Sequence, residues 1–270
     1  MKIRRIFSDM DGTLLNQNGR ITSSNARLIK QAGIPLTLVS ARAPMEMQEA
    51  IQDLSLSGPQ IAFNGGLIFE MIDNHIHPLH VDPLPQGVAQ QLLEGIHQKF
   101  PQVSLSYYDL THWYCAKIDS GIRYEFNLTQ CAPTLIQDTE VFLKAPINTF
   151  KIMLITFEEE VMLQLQDYLM RLDLETISFQ RSGAFYLEIT SKNAKKSKGI
   201  AYILKKENLL KEETAAFGDG HNDLPMLEMV GYPLVMANAF EEVKAIARYI
   251  TKSNSEDGVG YGIHTYLKGI

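Results

Sequence analysis

Cysteine is scarce. The 270-residue chain holds two, Cys115 and Cys131, at no metal-like spacing. They read as reduced thiols of a cytoplasmic protein, not as a disulfide framework. No run of 18 apolar residues occurs, which argues against a membrane-spanning helix. The start, MKIRRIFSDMDG, is basic but has no apolar segment ahead of its acidic pair, so it does not read as a signal peptide. Positive charge is in the minority, with 25 Lys and Arg against 31 Asp and Glu and a net charge of -6. No general basic face follows, so neither nucleic acid nor an anionic membrane is expected as a partner. His75, His77, His80 and His221 lack HExxH-type spacing, and internal repeats and low-complexity segments are absent. Apolar residues, by contrast, are plentiful at 45%. A globular chain with a full core is implied, with room for one large domain or two modest ones.

The first third alternates strand and helix signals. Strands are expected over Ile3–Ser8, Pro35–Val39 and Ile61–Phe63, with helices over Thr22–Ala32, stopped by Gly33, and Pro44–Leu54. Such alternation with short connections predicts an α/β fold with a parallel sheet covered on both faces. A hairpin over Leu67–Val81, turning at Asp73-Asn74, leads to Asp82-Pro83-Leu84-Pro85, which punctuates the chain. An α+β pattern follows, with a helix over Gln86–Lys99, a strong strand over Phe150–Thr156 and a helix over Glu158–Leu172. It reads as an inserted second domain over 82–186, with 1–81 and 187–270 forming the first. The α/β alternation resumes near Ser197, with a strand at Thr214–Phe217 and a helix over Asp223–Val230.

Sites in parallel α/β sheets form outside the carboxyl ends of the strands. The first strand ends in Asp9-Met10-Asp11, the second in Ser40-Ala41-Arg42, and the one at Thr214–Phe217 runs into Asp219, Asn222 and Asp223. If these ends meet, several carboxylates share a pocket and require a cation, and oxygen ligands suit Mg²⁺. An aspartate is also a nucleophile toward phosphorus, and a second carboxylate two residues on can serve as acid and then base. Gly12 permits a sharp turn after the pair. An EF-hand loop does not fit: Gly12 is at the fourth position instead of the sixth, and Arg20 replaces the closing glutamate. Lys192, Lys195, Lys196 and Lys198 crowd a helix start, where cations oppose the dipole. An anion or the acidic cluster would relieve them; a solvated charged turn also fits.

Together these segments resemble haloacid dehalogenase-type phosphatases of the Cof type, with a large α/β cap of class IIB. The resemblance spans nearly the whole chain. Asp9–Leu15 (DMDGTLL) is similar to the first motif, Val39-Ser40-Ala41-Arg42 to the second, and Leu187-Glu188-Ile189 with the following lysines to the third. Gly218–Leu227 (GDGHNDLPML) is similar to the fourth, Asn64-Gly65-Gly66 to the turn before the cap, and Asn254–Val259 to the C-terminal signature.

The resemblance implies a Rossmann-like core and a Mg²⁺-dependent phosphatase working through an aspartyl-phosphate. Asp9 is then nucleophile and metal ligand. Asp11 is acid/base and binds metal through its carbonyl. Asp219 is a metal ligand and Asp223 supports the metal shell. Met10, Ser40, Ala41, Arg42 and Asn222 hold phosphate or substrate. Lys196, separated from Ile189 by six residues, neutralises phosphate and Asp9, with Lys198 as the alternative. Ala41 stands where glycine is usual, so a backbone conformation open to alanine is expected. The implied substrate is a small phosphorylated metabolite: a sugar phosphate first, then pyridoxal phosphate or FMN. A monomer or weak homo-oligomer is expected. A hexose phosphomutase and a non-catalytic regulator that binds a phosphorylated metabolite are the alternatives.

Overall fold

Ile6 and Phe7 are completely buried, as a strand sandwiched between two helical layers requires. In the computed structural model, which describes residues 2–145 and 148–269, they lie in β1 (Arg5–Ser8). Next come α1 (Ser23–Ala32), β2 (Leu36–Leu38), α2 (Pro44–Asp53) and β3 (Gln60–Ala62). Thr22 caps α1 by accepting the Asn25 N–H at 3.0 Å, and Gly33 ends it with a left-handed φ of 64°. The expected hairpin forms from β4 (Leu67–Ile72) and β5 (His75–Val81). Asp73 and Asn74 take φ values of 51° and 61° at its turn, as a two-residue turn matched to strand twist demands.

The middle of the chain supplies α3 (Gln86–Lys99), β6 (Ser104–Tyr108), β7 (Trp113–Cys115), α4 (Ser120–Thr129), β8 (Thr134–Leu135), α5 (Thr139–Leu143), β9 (Lys151–Ile155), α6 (Glu159–Leu172), β10 (Ile177–Ser182) and β11 (Tyr186–Ser191). The last part comprises α7 (Lys196–Lys206), β12 (Thr214–Gly218), α8 (Leu224–Leu227), β13 (Tyr232–Val235), α9 (Glu241–Lys244), β14 (Tyr249–Ile250) and α10 (Gly258–Gly262).

The chain divides into two units. One comprises Met1–Arg42, Met47–His80 and Lys195–Ile270; the other, Ala43–Glu46 and Val81–Ala194. The first carries a parallel sheet in the order β14-β13-β12-β1-β2. From β1 the chain winds toward β2; from β12 it winds the other way, to β13 and β14. β1 and β12 therefore flank the reversal point, where the crevice of a parallel sheet lies. The second unit holds a six-stranded sheet, β10-β11-β9-β6-β7-β8. Leu105, Tyr107, Ile152, Leu154, Leu187 and Ile189 line one face of it and pack with Leu92, Ile96, Leu165 and Leu169 of α3 and α6. The alternate residues, among them Ser106, Tyr108, Lys151 and Glu188, point the other way. There Lys151 pairs with Glu188 at 3.6 Å, and the Tyr186 hydroxyl donates to Glu125 at 2.7 Å.

Three details differ from the sequence expectation. Residue 187 falls inside β11, held by pairing to β9 and β10, so the chain enters the first unit at Lys195. The helix expected over Asp223–Val230 is a 3-10 turn, His221–Asp223, followed by the four residues of α8. Helix α4 is unanticipated because Gly121 weakens its pattern. A Cβ there would approach Ser104 Oγ to 2.3 Å, so close packing on β6 requires the glycine.

Gly65 is a comparable case in the first unit. Its φ is 101°, and a Cβ would come within 2.3 Å of the Lys195 carbonyl oxygen, beside the start of α7. Gly65→Ala is expected to destabilise the fold by about 2 kcal/mol or more, from strain and a backbone clash, read as a lower urea midpoint with unchanged m.

Candidate active site

β1 and β12 run in register, with Ser8 opposite Phe217. One residue further, the Asp9 N–H donates to the Phe217 carbonyl at 3.0 Å. Asp9 thus leaves its strand beside the segment that carries Asp219 and Asp223. Carboxylate oxygens of Asp9, Asp219 and Asp223 lie within 4.8 Å of one another. The fourth member is a cation: Lys196 Nζ donates to Asp9 at 2.5 Å and to Asp223 at 2.7 Å. Lys196 is 3% exposed, whereas Lys198 is exposed, so Lys196 is the lysine that joins the acids. It is the first residue of α7, and the two carboxylates answer the positive end of that helix.

Each carboxylate is differently held. Both Asp223 oxygens are engaged: the one not bound to Lys196 accepts the N–H groups of Asp219 and Gly220, both at 3.0 Å. Asp219 accepts from the Thr13 hydroxyl at 2.7 Å. Burial pushes the Asp9 carboxyl well above the usual range, with Asp223 adding to the effect and Lys196 opposing it. Burial raises Asp219 as well. Desolvation alone would lower Lys196, but Asp9 and Asp223 outweigh it and hold its pKa up. Three carboxylates face one ammonium, so negative charge remains in excess. The donors are hard oxygens, the set a divalent ion such as Mg²⁺ takes. The arrangement therefore fits such an ion.

The turn after β1 is closed by the Met10 carbonyl, which accepts the N–H groups of Leu14 and Leu15 at 3.0 and 2.8 Å. Met10 itself is buried. Gly12 has φ 77°, and a Cβ there would meet Asp219 at 2.3 Å, so the turn demands glycine twice over. At the end of β2, Ser40 is buried and its Oγ accepts the Arg42 N–H at 3.1 Å. Ala41 is not among the described residues with positive φ, as its side chain requires. The Arg42 guanidinium binds both oxygens of Asp11, at 2.9 and 2.7 Å. Asn222 is exposed on the 3-10 turn after β12.

Two functional supports escape sequence reasoning. Thr13 orients Asp219; its position inside DMDGTLL is the only signal. Asn238 donates to the Gly12 carbonyl at 2.8 Å and accepts from the Asn254 N–H at 3.0 Å. Asn254 in turn donates to the Leu15 carbonyl at 2.8 Å. The C-terminal Asn254–Val259 segment thereby fastens the turn that carries Asp11.

The sequence pattern of haloacid dehalogenase-like hydrolases matches residues 6–263. The chain belongs to this family. The Cof-type resemblance and the α/β core expected from the sequence are both borne out. This hydrolase is 29% identical to a putative phosphatase of Haemophilus influenzae, over 96% of each chain. It is 27% identical to a 5-amino-6-(5-phospho-D-ribitylamino)uracil phosphatase of Bacillus subtilis, over 98% of each. A solved haloacid dehalogenase-like hydrolase from Bacteroides thetaiotaomicron superposes with a TM-score of 0.88 at 27% identity, covering 97% of this chain and 99% of that one. The hydrolase is an enzyme of the family's phosphatase class. Among its described residues, no helix is long and apolar enough to cross a membrane.

Removing the ammonium would leave two buried carboxylates facing each other. Lys196→Ala is expected to cost the metal-free hydrolase about 3–5 kcal/mol, measured by urea unfolding in chelator.

Proposed function

We propose that this hydrolase is a Mg²⁺-dependent phosphatase that cleaves a small phosphorylated metabolite through an aspartyl-phosphate on Asp9. The observation that carries the reading is the division between two carboxylates two residues apart. Asp9 is buried against Lys196 and beside Asp219, while the Asp11 side chain is 59% exposed. The first suits a nucleophile, the second a proton carrier.

In the first step an Asp9 oxygen attacks phosphorus and the P–O bond to the leaving group breaks. Asp11 delivers a proton to the departing oxygen. In the second step Asp11 takes a proton from water, whose oxygen attacks the same phosphorus and displaces Asp9. Phosphate leaves and both aspartates are restored. Lys196 stays on Asp9 and balances charge on the phosphoryl oxygens. Ser40, the N–H groups of Met10 and Ala41, and Asn222 are the proposed phosphate donors. Asp9, Asp219 and the Asp11 carbonyl would hold Mg²⁺, with Asp223 orienting the loop around them. The bound ion supplies charge neutralisation to the transferring group.

The inserted unit is proposed as a substrate-specificity cap. A sugar phosphate is the leading class, followed by pyridoxal phosphate and FMN. The ribityl phosphate acted on by the B. subtilis relative is similarly polyhydroxylated. A cytoplasmic setting accords with two free cysteines.

Phosphate release from p-nitrophenyl phosphate is expected with Mg²⁺ and is expected to stop with chelator. Asp9→Asn should abolish release, and a covalent phosphate should be trapped by acid quench only in chains with Asp9. Turnover that survives in Asp9→Asn would overturn the nucleophile. Isomerisation of hexose phosphates driven by a bisphosphate, in place of hydrolysis, would point to a mutase.

A further inference from the structure

The family resemblance sets Arg42 among the residues that hold phosphate or substrate. Its guanidinium forks onto the Asp11 carboxylate, Nε to Oδ2 at 2.9 Å and Nη2 to Oδ1 at 2.7 Å. Both donors of one edge meet both oxygens of one carboxylate, an arrangement that fixes orientation as well as position. The side chains are unequal. Asp11 is 59% exposed and Arg42 is 23% exposed. The arginine is thus the better anchored partner, and its backbone is tied at both ends. Its N–H donates to Ser40 Oγ at 3.1 Å, and its carbonyl accepts the Phe63 N–H at 3.0 Å. The turn that carries Asp11 is closed by the Met10 carbonyl, but that contact holds the backbone alone. An exposed aspartate on such a turn would otherwise sample several rotamers.

We propose that Arg42 is a positioning residue for Asp11, holding the acid/base carboxylate in one orientation for proton transfer. The inference rests on the phosphatase reading, in which Asp11 carries the proton. Each carboxylate oxygen has more than one acceptor position, so the fork leaves lone pairs open to a water or a leaving group. A lysine cannot replace the fork, because an ammonium is a point charge without planar paired donors.

The two possible roles of Arg42 differ in a measurable way. A guanidinium that binds phosphate aids every ester alike. One that positions Asp11 matters in proportion to the leaving group's need for a proton. p-Nitrophenolate departs without one, whereas an alkoxide such as that of a sugar phosphate needs one. The test measures kcat/KM on p-nitrophenyl phosphate and on an alkyl phosphate for the wild type, Arg42→Ala, Arg42→Lys and Asp11→Asn, and for Arg42→Ala combined with Asp11→Asn. Thermal melting checks that each variant is folded. The parameter kcat/KM reports the first, phosphoryl-accepting step.

Arg42→Ala and Arg42→Lys are each expected to lose about 10²-fold on the alkyl ester and about tenfold or less on the aryl ester, within the range of general acid catalysis. In the Asp11→Asn background, Arg42→Ala should cost at most about threefold more, since groups that act as a unit are not additive. Equal losses on both esters, rescue of both by lysine, or losses that multiply with Asp11→Asn would overturn the assignment and return Arg42 to phosphate binding. A folded wild type with no Mg²⁺-dependent turnover of either ester would overturn the phosphatase reading, and the positioning role with it.

Discussion

A single ammonium holds the centre of this enzyme together. Lys196 sits between Asp9 and Asp223, buried with both. Carboxylates this close repel strongly in a poorly hydrated pocket, and burial already drives Asp9 toward its neutral form. The lysine is what allows the strand ends to converge. Asp223 passes the constraint onward, since its second oxygen fixes the backbone N–H groups of Asp219 and Gly220. Asp219 is steadied by Thr13 from the turn after β1. Three segments, far apart in the chain, are thus closed into one ring of charge-assisted bonds.

The sheet order makes that ring possible. Because β1 lies between β2 and β12, the turn after β1 is neighboured on one side by Ser40 and Arg42 and on the other by Asp219 and Asp223. Parallel pairing aligns the carboxyl ends, so residues after each strand emerge together. The turn itself is tied from outside by Asn238 and Asn254. Rigidity of the backbone and freedom of the exposed Asp11 carboxylate are therefore separate problems. The first is met by main-chain bonds, the second by the arginine fork.

Much of this was legible in the chain. The alternation of apolar strands and helices predicted the α/β core, and Thr22 and Gly33 marked the limits of α1. Asp73-Asn74 announced its hairpin because only a few residue types accept two successive positive φ angles. The acids were visible as candidates, and the family resemblance favoured Lys196. What stayed hidden depended on distant neighbours. Gly121 conceals α4, since its reason is the Ser104 side chain across the packing interface. The extent of β11 depended on pairing with β9 and β10, which no local pattern states. Asn238 carried no signal at all, because its partner is a carbonyl 226 positions away.

The sequence by itself determined the chemistry on offer: carboxylates after strands, a hydroxyl, a lysine cluster, and glycine where the turn must bend. These follow from residue type and near neighbours. Only the tertiary structure decided which of the lysines meets the acids, that both Asp223 oxygens accept hydrogen bonds, and that Arg42 turns to Asp11. Those outcomes rest on electrostatics and packing between segments whose separation in the chain says nothing of their distance in space.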